Sequence, residues 1–240
     1  IQTFSEKKDL EVSYRMSTNG TLLTEELMQK LYQNGVFVSL SVDGHPDIHD
    51  KHRLDAAGKP TSHKVKKAAE LLLRYNPATN VTCVLSPDTA DQVCESVDYI
   101  YSLGFRYITT TLDYSADWQL EHFASLKKSY QKLGDWYIEK MQANERFYLS
   151  FFDERIRSRT YKPIAADERC LLGTKQFSIA PNGELYPCIQ FVKTKSLPEF
   201  LIGHVKSGFD RACQNHLHSM SEKKKPECSG CKLEARCSKW

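Results

Sequence analysis

Six of the eight cysteines in this 240-residue chain (Cys170, Cys188, Cys213, Cys228, Cys231 and Cys237) fall within one 68-residue stretch. Thiols gathered in this way hold a metal or a cluster, or pair as disulfides. The opening Ile1-Gln2-Thr3-Phe4-Ser5 has neither a basic nor an apolar signal-peptide region, so ligation outranks disulfides. Cys228-x2-Cys231 can set two thiolates on one metal or cluster, and Cys237 can supply a third. Cys188 ends a pair of short strand-like segments around Pro181-Asn182-Gly183, with Cys170 upstream. By spacing alone, zinc and iron–sulfur are equal readings. Cys213 reads as an ordinary helix-face cysteine, and Cys83 and Cys94 as core residues.

A second constellation stands earlier. Val36–Val42 reads as a buried strand that stops at Asp43-Gly44. Ser41 and Asp43 therefore sit at a strand's C-terminal end, where α/β barrels place ligand contacts. A hydroxyl and a carboxylate suit a ribose; a plain Asp-Gly turn is the equal alternative. Arg53 suits a cofactor or substrate carboxylate, or pairs with a local acid such as Asp50. Leu112, after a later strand, packs on an adenine or simply joins the core. His45, His49, His52 and His63 show no metal-ligand spacing.

The elements that must carry these residues alternate. Strands are expected near 11–17, 36–42, 80–85, 105–111 and 146–152, and helices over 22–34, 63–75, 91–103 and 117–143. Thr21 is the expected cap of the first helix, and 43–62 reads as loop. Strand–helix alternation with short connections implies a parallel α/β sheet. The pattern breaks at Lys162-Pro163-Ile164-Ala165, so domains are expected at 1–165 and 166–240. The second is Gly- and Pro-rich, and carries a net charge of +4 against −1 for the first.

Composition narrows the class. A 40% apolar content supports a sizeable core, and 26% charged residues of both signs argue against global disorder. No apolar run approaches the roughly 20 residues of a membrane span. A net charge of +3 gives no reason to expect a nucleic-acid partner.

The cysteine spacing, Cys170-x12-Gly183-x4-Cys188 followed by Cys228-x2-Cys231-x5-Cys237, resembles the SPASM domain that follows the barrel in many radical SAM enzymes. Thr18-Asn19-Gly20-Thr21-Leu22-Leu23 is similar to the family's turn after the third barrel strand. Ser39-Leu40-Ser41-Val42-Asp43-Gly44, then Ile48-His49-Asp50-Lys51-His52-Arg53, resembles its S-x-D-G…H-D-x-x-R segment after the fourth. Among families of this kind, the chain resembles the anaerobic sulfatase-maturating enzymes and similar peptide maturases.

This resemblance implies a partial (β/α)6 radical SAM barrel over 1–165 and an incomplete SPASM domain over 166–240. It implies auxiliary [4Fe–4S] clusters on Cys170, Cys188, Cys228, Cys231 and Cys237, and S-adenosylmethionine bound near Ser41, Asp43, Arg53 and Leu112. It implies hydrogen-atom abstraction from a peptide or protein by a 5′-deoxyadenosyl radical, an external donor such as flavodoxin or ferredoxin, and an anaerobic bacterial cytoplasm.

Two departures stand out. The C-x3-C-x2-C loop of the reducing cluster does not occur in these residues and is expected upstream of Ile1, with a further cysteine just beyond Trp240. Where sulfatase-maturating enzymes carry an Asp after the second SPASM cysteine, this chain has Ile189. Ile cannot accept a proton, which favours another modification, such as thioether or carbon–carbon crosslinking. The rival class is a zinc-stabilised, non-catalytic peptide-binding or scaffold protein.

Overall fold

The computed structural model describes residues 11–161, 172–192, 198–222 and 226–231. The chain divides into two compact units, 1–155 and 156–240. The expected boundary at Ala165, along with Cys170 and Cys237, lies outside the described residues.

The first unit is built on five parallel strands in the order β1 (Tyr14–Thr18), β2 (Val36–Ser41), β3 (Asn80–Leu85), β4 (Tyr107–Leu112) and β5 (Tyr148–Leu149). Between them run α1 (Glu25–Gln33), α2 (Pro46–His52), α3 (Ser62–Tyr75), α4 (Val93–Ser102) and α5 (Leu120–Gln142); α6 (Ser150–Thr160) follows β5. This is the parallel α/β arrangement expected from the alternation. None of the described helices is long and apolar enough to cross a membrane.

Side-chain alternation gives the sheet two unlike faces. Val38, Leu40, Val81, Cys83, Leu85 and Ile108 are buried, and pack with Val65, Leu72, Val97 and Ile100 from the helices. Each such aliphatic side chain contributes about 1.5–3 kcal/mol by leaving water. The intervening residues Ser39, Ser41, Thr82, Thr109 and Thr111 are only half-buried. Register aligns Ser41 with Thr82 and Thr82 with Thr109, so hydroxyls run across the strands on this face. Cys83 and Cys94 are core residues, as expected, and burial pushes both thiols up from their ordinary pKa.

Several local expectations shift. Thr24, not Thr21, caps α1, its hydroxyl oxygen accepting the Leu27 N–H at 3.2 Å. The expected loop at 43–62 contains α2, opened by Pro46 in the first turn. The strand expected at 146–152 is two residues long and runs straight into α6.

In the second unit β6 (Ser178–Ile179), β7 (Glu184–Tyr186), β8 (Gly203–His204) and β9 (Gly208–Phe209) form an antiparallel sheet, followed by α7 (Arg211–Glu222). The β6–β7 pair is the hairpin read around Pro181-Asn182-Gly183.

Gly44 fixes how closely α4 approaches the end of β2. Its φ is +134°, and a Cβ there would lie 2.5 Å from Ser96 Oγ and 3.0 Å from Ser96 Cα. Both conformation and space therefore demand glycine. Gly44→Ala is expected to destabilise the first unit by about 2 kcal/mol or more, because backbone strain and a clash act together. A chemical-denaturation midpoint equal to wild type would show that the loop yields freely.

Candidate functional site

The site begins where β2 ends. Val42 continues the ladder with its N–H to Thr82 O, and the chain then turns into α2. Asp43 stands at that turn with its side chain 8% exposed. A carboxylate so placed must be matched by donors. Arg53, the residue after α2, supplies two: Nε to Oδ2 at 2.5 Å and Nη2 to Oδ1 at 2.9 Å. Val84 N–H supplies a third, to Oδ1 at 2.9 Å. The pair is bidentate, the geometry that an Arg fork and a carboxylate favour. Arg53 does pair with a local acid, but that acid is Asp43 and not Asp50, the one named from sequence.

Asp50 has a different task. Its Oδ1 accepts the N–H groups of Thr61 and Ser62 at 2.9 Å each, and its Oδ2 accepts the Ser62 hydroxyl at 2.6 Å. Asp50 thus caps α3 from a neighbouring helix. Burial pushes its pKa up, but these hydrogen bonds outweigh burial and hold it below the usual carboxylate value.

His49 is 1% exposed. Its Nδ1 accepts the Asp43 N–H at 3.2 Å, and its Nε2 lies 3.3 Å from Thr61 Oγ1. Burial lowers its pKa; the Asp43 and Asp50 carboxylates oppose that, while the Arg53 cation adds to it. Sequence spacing gave this histidine no role, because its partners are backbone and hydroxyl groups instead of a metal.

Two donors remain at the mouth of this arrangement. Ser41 is half-buried, and its hydroxyl makes no hydrogen bond among the described residues. Arg53 is 25% exposed, and its Nη1 end is not spent on Asp43. Both suit an incoming anion or polar ligand. Asp43 itself has little left to offer, with three bonds already on its two oxygens. Leu112, at the end of β4, packs against the core and lines a cleft of about 340 Å³ with Thr110, Tyr114, Tyr130 and Phe151. The Tyr130 and Phe151 rings stack there at 3.8 Å. A larger cleft of about 670 Å³ lies between α2 and α4 and contains none of the expected ligands.

In the second unit, Cys188 precedes a 3-10 turn that holds Ile189, whose side chain is exposed. Cys228 and Cys231 share one turn, with the Cys231 N–H donating to Cys228 O at 3.1 Å. All three are free thiols, the chemistry that a cluster or zinc requires. Among the described residues, no three metal-binding side chains gather at one point, so Cys188 is not brought to the Cys228–Cys231 turn. Cys213 lies on α7 as expected, its thiol directed to Glu199 O at 3.8 Å.

The fold agrees with what the chain resembles. It is 29% identical over 245 residues to a cysteine-type anaerobic sulfatase-maturating enzyme of Clostridium perfringens, a match covering 96% of this chain and 64% of that enzyme. A solved structure described as native anSMEcpe with bound AdoMet and Cp18Cys peptide superposes with a TM-score of 0.79 at 25% identity, over 99% of this chain and 68% of that one. The chain is similar to radical SAM maturases. At 14% identity and a TM-score of 0.62, Streptococcus suis SuiB bound to its precursor peptide SuiA shares the fold. No protein-family model matches the chain. The chain spans about 64% of the length of the C. perfringens relative.

The buried histidine makes stability pH-dependent. Because the folded state lowers the His49 pKa, the unfolded chain takes up the proton first. The contribution is therefore complete above the ordinary value of 6.5 and is lost as pH falls through the folded value. Asp50 acts in a separate window below its ordinary value of 3.8. Melting temperature should fall between pH 7 and 5 in the wild type and change less in His49→Asn. Equal slopes for the two proteins would show that His49 does not carry the effect.

Proposed function

We propose that this chain is the cofactor-binding and auxiliary-cluster portion of a radical SAM enzyme that modifies a peptide or protein. The observation that carries this reading is the end of β2. There Ser41, with its hydroxyl unbonded among the described residues, lies two residues before the Asp43 carboxylate that holds one edge of Arg53, in a fold shared with AdoMet-bound anSMEcpe. Bound S-adenosylmethionine, with its cluster, supplies a carbon radical able to take a hydrogen atom from the substrate.

The chain's own residues bind and orient. Arg53 Nη1 meets the carboxylate of S-adenosylmethionine, and the Ser41 hydroxyl makes a neutral hydrogen bond beside it. Asp43 acts through Arg53: spent on that guanidinium and on Val84 N–H, it fixes the fork and does not itself hold the ribose. Leu112 offers an apolar wall for the adenine. The half-buried hydroxyl face of the sheet, unlike the greasy opposite face, suits a polar peptide.

Cys170, Cys188, Cys228, Cys231 and Cys237 hold auxiliary iron–sulfur clusters in a SPASM domain over 166–240, and a flavodoxin- or ferredoxin-type protein supplies the electron. Free thiols and oxygen-sensitive clusters fit an anaerobic bacterial cytoplasm. With Ile189 exposed where sulfatase maturases place an acid, the modification is a crosslink in preference to formylglycine.

Anaerobic reconstitution of the protein that carries this chain should give a brown product, with iron and acid-labile sulfide in matching amounts. Stoichiometric zinc without sulfide would establish the scaffold reading instead. In the reconstituted protein, Arg53→Ala should weaken S-adenosylmethionine binding by about 1.5–3 kcal/mol, the usual worth of a hydrogen bond to a charged group. Its cluster content should be unchanged, because Arg53 is no ligand. Isothermal titration with equal affinities would remove Arg53 from the site.

The 240 residues alone contain no C-x3-C-x2-C and should release no 5′-deoxyadenosine with dithionite. Release would mean that another cysteine set performs the reduction. An aldehyde trapped by hydroxylamine on the product peptide would overturn the crosslink reading.

A further inference from the structure

The Arg53 fork is held from behind. The Asp43 N–H donates to His49 Nδ1 at 3.2 Å. A ring nitrogen that accepts carries no proton, so the neutral imidazole has its proton on Nε2. Nε2 then donates to Thr61 Oγ1, 3.3 Å away. The Thr61 hydroxyl spends its own proton on Arg53 C=O at 2.5 Å. The path closes on itself: Asp43 backbone, His49 ring, Thr61 hydroxyl, Arg53 backbone, then the Arg53 guanidinium back to the Asp43 carboxylate. His49 and Thr61 are both buried, 1% and 3% exposed, so water does not readily replace either link. Thr61 is itself fixed by Asp50, which accepts its N–H at 2.9 Å.

We propose that His49, relayed through Thr61, is a positioning residue that sets the outward edge of Arg53 for the carboxylate of S-adenosylmethionine. A bidentate ion pair fixes the guanidinium relative to its carboxylate, but leaves the pair as a whole free to shift at the strand end. Pinning the backbone at both ends of the pair removes that freedom. The Nη1 edge is then presented in one orientation, and less ordering remains to be done when ligand arrives. Only a neutral ring can serve, since a protonated Nδ1 cannot accept the Asp43 N–H. Asp43 and Asp50 favour the cation, whereas burial and Arg53 oppose it.

This inference rests on Arg53 as the carboxylate ligand, and the test separates the two. In anaerobically reconstituted protein, isothermal titration compares S-adenosylmethionine with 5′-methylthioadenosine, which lacks the carboxylate. His49→Leu should weaken S-adenosylmethionine about three- to tenfold, the scale of a neutral hydrogen bond, and leave 5′-methylthioadenosine unchanged. His49→Asn, whose side-chain oxygen can stand near the Nδ1 position, should recover most of that loss. Thr61→Val should shift affinity in the same direction as His49→Leu, which keeps the proposal testable if His49→Leu does not fold. Ring ¹⁵N shifts should show His49 protonated at Nε2 and bare at Nδ1.

A proton on Nδ1 in the neutral protein, equal loss for both ligands, or wild-type affinity in His49→Leu (in Thr61→Val if His49→Leu does not fold) would each overturn the positioning role. If Arg53→Ala binds S-adenosylmethionine as wild type does, Arg53 is not the ligand and the positioning role falls with it. If Arg53→Ala is impaired while the His49 and Thr61 variants are not, the ligand stands and the relay falls.

Discussion

A carboxylate that is 8% exposed at the end of a strand is the constraint around which the first unit is arranged. Asp43 cannot be left unmatched there without a penalty of several kcal/mol. Matching it requires Arg53 to return from the far end of α2, which fixes the length and direction of that helix. It requires Val84 to offer its N–H from the neighbouring strand, which ties the turn to β3. It also requires the chain to leave the strand at once, and Gly44 does so at a φ that other residues rarely adopt. The segment from Ser41 to Ser62 is thus one polar structure. Its apolar anchors, Ile48 and Val42, seat it on the core, and its hydrogen bonds choose its shape.

The same economy separates the two faces of the sheet. A parallel sheet covered on both sides reads as a continuous apolar run. Here Val38, Leu40, Val81, Cys83 and Leu85 alternate with Ser39, Ser41, Thr82 and Val84. Only one face joins the helical core, and the other keeps its hydroxyls. Threonine and serine cost little on a half-buried pleated surface, and they leave donors and acceptors where a ligand can use them.

That alternation was present in Val36-Phe37-Val38-Ser39-Leu40-Ser41-Val42, although the segment reads at first sight as a buried strand. Periodicity located the strands and the long helices well, because their apolar spacing is set by the core. It missed α2 and α6, seven and eleven residues long, because neither carries a long apolar stripe: α2 opens on Pro46 and buries only Ile48 and His49, and α6 fully buries none of its residues. It also missed β8 and β9, two residues each. The motif residues of the site were legible as a set. Their division of labour was not, because His49, Asp50 and Arg53 differ in which backbone group or acid they reach, and that is decided by tertiary placement. Thr61 carried no signal at all: a threonine before a helix reads as a cap, and here its hydroxyl serves Arg53 instead.

The second unit poses the opposite problem. Among its described residues the buried apolar cluster is Leu185, Ile202 and Leu217, with Phe200, Phe209 and Cys213 packed against it. Leu172, Ala180 and Tyr186 are buried as well, and at about 2 kcal/mol for each large apolar side chain these residues work against the entropy of ordering strands two or three residues long. Small folds of this kind are completed by cross-links or by metal. The described cysteines form no disulfide. A bound cluster would therefore add folding free energy as well as redox chemistry, since a site absent from the unfolded chain returns its binding energy to the fold. On the proposed reading, the cysteine spacing that first drew attention would answer a structural need as well as a chemical one.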